Sequence, residues 1–125
     1  MTTQKIKTSK NIEATAWRFM RYSGILLIPL AWFHLILQDV VVGVHEIDID
    51  YVAVRLANVG WQIFDILLLT FAFAHGMNGV RQVVNDFIHT EQGQRRMAWL
   101  LLVVWLIVSL IGAVAVIAGA RPELA

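Results

Sequence analysis

Apolar positions in this chain come in long blocks rather than in short alternations. Residues 22–42, 56–80 and 97–119 are each apolar over about the 20 residues that a helix needs to cross a bilayer core. The pattern predicts an all-α membrane protein: three transmembrane helices in a single membrane-anchor domain over 1–125. The third block, MAWLLLVVWLIVSLIGAVAVIAG, holds no charged residue, whereas the first carries His34, Gln38 and Asp39 and the second Asp65 and His75. Pro29 lies inside the first block and predicts a kink, which neighbouring helices tolerate in a membrane. Between the first two blocks, GVHEIDIDYVAVR alternates polar and apolar residues and suits either a short extended loop or the start of an interfacial helix. Gly93 is expected to break the connection between the second and third blocks.

A finer period runs through FAHGMNGVRQVVNDF, residues 73–87. After His75, the residues Asn78, Gly79, Gln82, Asp86 and His89 return at offsets that keep to one helical face. This face therefore carries an imidazole at membrane depth and polar groups further along. Gly76 and Gly79 remove side-chain bulk beside the imidazole. A flat macrocycle stacked on the helix needs that room, and close helix packing needs it too.

Composition narrows the possibilities. With 58% hydrophobic and 15% charged residues in 125, the chain has too little polar surface for a soluble domain of its size. It has no cysteine, which excludes disulfides, thiolate metal sites and cysteine nucleophiles. A net charge of +1 speaks against nucleic acid as a partner. The N-terminal MTTQKIKTSKNIEATAW has lysines but no apolar run beside them, so no signal peptide is expected. Eight basic residues (Lys5, Lys7, Lys10, Arg18, Arg21, Arg81, Arg95 and Arg96) fall on one side of the spans, against Arg55 and Arg121 on the other. That asymmetry predicts a cytoplasmic N-terminus. Trp17, Tyr51, Trp61 and Trp99 lie near span ends, where aromatic rings favour the lipid interface.

Ionisable residues inside a span face protein, water or a cofactor rather than lipid. Two of three helices carry them, so the chain is expected to be part of a larger hetero-oligomeric bundle. His75 admits two readings: an axial ligand of haem iron, or a histidine bonded to a neighbouring helix. His34 admits the same two. Counted from the span ends, the two histidines differ in depth by roughly 9 Å at 1.5 Å per residue. That suits two haem sites at two depths, each completed by a ligand from another subunit, better than one shared site. Asp65 suits a structural partner of Arg55 or of another subunit, or a proton-pathway group. Arg81 is placed to pair with a haem propionate or to reach lipid phosphates. Arg18, Arg21 and Ser23 suit the wall of a quinone-sized pocket; positive-inside charge and helix capping are the plainer readings. His45 and His89 are expected in solvent.

Taken together, these residues resemble a known family. HGMNGVRQVVNDF resembles the signature of the small hydrophobic anchor subunit of succinate dehydrogenase, respiratory complex II. In that family a second-helix histidine is followed by a glycine four residues later and an Asp-Tyr pair eleven and twelve later; here the positions are His75, Gly79, Asp86 and Phe87. WRFMRYSGILLIPLAWFHLIL is similar to the family's first helix, with its Arg-x-Ser-Gly motif. The resemblance covers most of residues 16–115. It implies that His75 ligates haem b near the cytoplasmic side and His34 a second, distal haem, with the other ligands from a larger cytochrome b anchor subunit. It further implies a flavoprotein with FAD and an iron–sulfur subunit docked on the cytoplasmic face, passing electrons from succinate to quinone. The setting implied is a prokaryotic cytoplasmic membrane. The family's tyrosine offers a quinone its hydroxyl, and Phe87 has none, so that bond must come from elsewhere. Asp86 stands as a group that supports the site from behind or supplies a proton. The alternatives are the anchor of another quinone-linked cytochrome b complex (fumarate reductase, hydrogenase or formate dehydrogenase type) and a haem-free structural subunit.

Overall fold

The computed structural model describes residues 12–121 and 123; Lys5, Lys7 and Lys10 lie outside the described residues. The elements are α1 (Ile12–Leu35), a π-helical continuation (Ile36–Gly43), a 3-10 turn (Val44–Glu46), α2 (Ile49–Leu56), α3 (Val59–Phe87) and α4 (Glu91–Ala118). Three helical stretches, Ala14–Glu46, Val59–Phe87 and Glu91–Ala118, are long and apolar enough to cross a membrane. The expected all-α membrane fold is what the chain adopts.

The helices outrun the apolar blocks at one end of the bundle. α1 starts at Ile12 and α3 continues through Arg81 to Phe87, because Arg18, Arg21, Arg81 and Gln82 are themselves good helix formers. Pro29 sits inside α1 without ending it. The π-helical stretch stops at Gly43, whose φ of 91° is open to glycine alone at little cost. The segment that suited a loop or a helix start contains a helix: Asp48 caps α2 by accepting from Tyr51 N at 2.7 Å. Gly93 does not break the chain. It lies in the first turn of α4, and its N–H donates to the hydroxyl of the N-cap Thr90 at 3.2 Å. The break falls at residues 88–90 and ends on that cap.

α3 is the central helix, packed against α1 on one side and α4 on the other. Trp105 on α4 donates its indole N–H to Thr70 O at 3.0 Å, and Gly112 lets Leu69 lie against the α4 backbone. α2 closes one end. Its Ala53 and Leu56 are buried, Gln62 of α3 donates to Leu56 O at 2.7 Å, and Arg121 N donates to Ala53 O at 3.1 Å. Among the described residues, Ser23 joins Ala53 and Leu56 as the buried ones. Exposed large apolar side chains run along all three long helices, including Ile28, Trp32, Leu67, Val83, Leu110 and Ile117. In water such a surface is untenable; in a bilayer it is ordinary lipid- or helix-facing surface.

Candidate functional site

The site is built where α1 crosses α3. The helices are antiparallel and in a definite register. Asn78 Nδ2 donates to Ala16 O at 2.9 Å, and a Cβ on Gly79 would meet Met20 Cε at 3.4 Å. His75 meets Ser23 and Gly24. Further along, His34 of α1 meets Asp65 of α3.

His75 Nδ1 lies 2.7 Å from Ser23 Oγ, and Ser23 Oγ also donates to Met20 O at 3.2 Å. Ser23 is 2% exposed and lies mid-helix, so it is not a cap of α1. A Cβ on Gly24 would stand 3.3 Å from His75 Cε1, so the imidazole rests directly on the α1 backbone surface. His75 itself is half-buried, and its Nε2 has no hydrogen-bond partner among the described residues. A Cβ on Gly76 would meet nothing within 4 Å. The glycines thus divide their roles: Gly79 and Gly24 bring the helices together, and Gly76 leaves open space on α3 beside the histidine.

At the other end, Asp65 takes a bidentate ion pair from Arg55, with Nη2 to Oδ1 at 3.1 Å and Nη1 to Oδ2 closer still. The side chains are 8% and 15% exposed, so this pair is well withdrawn from solvent. Arg55 also lies over the Trp61 ring, 4.5 Å from its centroid. Of the readings open for Asp65, the pair with Arg55 is the contact the fold makes. His34 Nδ1 stands 3.7 Å from Asp65 Oδ1, beyond hydrogen-bond length, and is buried without a partner. The His34 side chain is 40% exposed and its ring stacks on Phe64 at 6.3 Å. Gln38 accepts from Tyr51 OH at 3.2 Å. His45 and His89 are exposed, as expected.

The register replaces the depth count. The rise from Ser23 to His34 on α1 is about 16 Å, and from Asp65 to His75 on α3 about 15 Å. The two histidines are thus about 15 Å apart along the bundle, not the roughly 9 Å expected from sequence. Counting went wrong because it set Tyr22 and Arg81 at one level, whereas Asn78 already faces Ala16, so Arg81 lies beyond Tyr22 along the bundle.

The remaining candidates are spread around the end of the bundle where α1 begins and α3 ends. Arg81 Nε donates to Asn78 Oδ1 at 3.1 Å, and Arg81 lines a cavity of about 230 Å³ between α3 and α4 with Met77, Asn78, Leu101 and Trp105. This is not the side on which His75 meets α1, and no described contact joins Arg81 to His75. Arg18 and Arg21 are exposed, with Arg21 over the Trp17 ring at 5.6 Å, while Ser23 turns inward to His75. Asp86 and Phe87 are exposed at the end of α3. Gln82 Nε2 and Asn85 Oδ1 are buried without a partner near that end. Gln82 was in the polar stripe at i+7 from His75, and that offset was the signal for it. Ser23 as the partner of His75 had no signal in sequence spacing.

Among the described residues no three His, Cys, Asp or Glu stand together as a bare metal ion would require. A metal held by His75 would have to bring most of its coordination with it, as a macrocycle does.

The class is therefore an integral membrane subunit of three spanning helices, carrying one histidine seated between two of them with a ring nitrogen open. Residues 2–116 match the model of the succinate dehydrogenase/fumarate reductase transmembrane subunit, and the chain belongs to that family. No curated protein sequence matches it significantly.

Proposed function

We propose that this chain is the membrane anchor and haem b-binding subunit of a succinate:quinone oxidoreductase in a prokaryotic cytoplasmic membrane, N-terminus on the cytoplasmic side. The observation that carries this is His75: a membrane-depth imidazole with Nδ1 engaged by Ser23, Nε2 unengaged, and open helix surface at Gly76. These features fit a haem. Bound there, haem b supplies a one-electron carrier between iron–sulfur clusters and membrane quinone.

The chain's own residues bind and orient. His75 would hold the haem iron through Nε2, and the larger anchor subunit would supply a second ligand. His34, about 15 Å further along, holds a second haem in the same shared manner, with Asp65 behind its Nδ1. Arg81, whose Nε donates to Asn78, would pair with an anion at that end, a propionate or a lipid phosphate. Gly79 sets the close approach of α1 that seats the histidine. Quinone reduction takes up two protons, and exposed Asp86 can hold one at the end of α3. Arg18 and Arg21 lie on α1 between the levels at which it meets Asn78 and His75. The quinone carbonyl finds no donor at Phe87 and takes its hydrogen bond from another residue or subunit. A flavoprotein with FAD and an iron–sulfur subunit complete the complex.

A haem-free subunit would use the Ser23–His75 bond only to join two helices, and one experiment separates the readings. The complex purified with its partner subunits is expected to show a reduced b-type α band with two haems. H75A is expected to remove one haem and H34A the other. Full haem in H75A would overturn the assignment; full haem in H34A would remove the distal site alone.

A further inference from the structure

We infer that Ser23 is a positioning residue for His75, fixing the imidazole as the Nδ1–H tautomer so that Nε2 carries the free electron pair. The inference rests on the proposed role of His75 as a ligand and assigns a residue that acts through it.

The argument is one of hydrogen counting. Ser23 Oγ has two neighbours within hydrogen-bond reach, Met20 O at 3.2 Å and His75 Nδ1 at 2.7 Å. A hydroxyl has one proton to give. If it goes to Nδ1, Met20 O loses that contact and the ring must carry its proton on Nε2, unpaired among the described residues. If it goes to Met20 O, an Nδ1–H donates into the Oγ lone pair and both contacts are hydrogen bonds. Ser23 is 2% exposed and water has little access, so the arrangement that pairs both is the lower in free energy. Nε2 is then the bare nitrogen, the form a metal ligand needs. Gly24 holds the ring from the same side, with a Cβ position 3.3 Å from Cε1, so the ring plane is set as well as its proton.

A donor hydrogen bond from the second ring nitrogen raises the basicity of the ligating one. Stronger donation stabilises the oxidised iron. S23A is therefore expected to raise the midpoint potential of the His75-dependent haem and to weaken its retention roughly 10- to 100-fold, the usual cost of losing such a partner. S23T, which restores a hydroxyl, is expected to return both towards wild type. The test is a redox titration and a haem-retention assay on the purified wild-type, S23A, S23T and H75A complexes. An S23A complex with unchanged potential and retention, beside an H75A complex that loses one haem, overturns the role of Ser23 and leaves His75 standing. Equal shifts in S23A and S23T mark a packing effect and also overturn it. H75A with full haem overturns both readings. Should S23A fail to assemble, nitrogen NMR of histidine-labelled, reduced wild-type complex decides. An Nδ1 proton on His75 hydrogen-bonded to Ser23 Oγ supports the assignment, and an Nδ1 without that bond refutes it.

Discussion

Two glycines flank the imidazole of His75 and are expected to respond differently to an added methyl group. At Gly24 a Cβ would stand 3.3 Å from Cε1, tighter than ordinary contact, so G24A presses on a ring that Ser23 already holds. At Gly76 a Cβ meets nothing in this chain. Both substitutions favour the helix by up to about 1 kcal/mol in intrinsic propensity, so neither should unfold it. G24A is expected to shift the haem spectrum through the ligand's tilt. G76A is expected to lower haem content, since the proposed haem would lie over that surface. Visible spectra of the two purified variants check both, and wild-type haem in G76A would place the macrocycle elsewhere. The histidine itself was legible in sequence, because 3.6-residue periodicity gathers His75, Asn78, Gln82 and Asp86 on one face. Ser23 was not. It sits 52 residues from its partner, and only the register of α1 on α3 brings the two together.

Between elements, the Arg55–Asp65 pair joins α2 to α3 in a setting with little water. Breaking it from one side leaves a charge without compensation, which costs about 3–5 kcal/mol at buried pairs. R55L and D65L are each expected to lose stability on that order. The double variant R55L/D65L is expected to recover much of it, since a buried pair gains little over well-packed apolar residues. Thermal unfolding of the purified complexes, arranged as a double-mutant cycle, measures the coupling; additive losses would mean that the two side chains act separately. The three spans and the possibility of this pair were readable from hydropathy and charge. The helix ends were not, because hydropathy marks where apolar residues stop, whereas the backbone continues helical through Arg81 and Asp86. Gly93 shows the same limit: a residue of low helix propensity sits in the first turn of α4 because Thr90 caps its N–H.

For the whole chain, the expected orientation rests on the distribution of Lys and Arg. Arg55, one of the two basic residues expected on the outer side, is held in the ion pair with Asp65. The chain has no cysteine, so single ones report topology cleanly. Glu46 and His89 are exposed at opposite ends of the bundle. E46C is expected to react with a membrane-impermeant maleimide in intact cells, and H89C only in inverted vesicles; the reverse pattern would invert the proposed topology. The apolar surface left around all three helices is the surface on which lipid and a larger anchor subunit are expected to lie.

The central claim is that His75 is an axial ligand shared across two anchor subunits. Haem stoichiometry of the purified H75A complex, from its reduced-minus-oxidised spectrum, tests it most directly. The account expects one haem fewer than wild type, with the flavoprotein and iron–sulfur subunits still bound. An assembled H75A complex with the full wild-type haem spectrum would contradict it.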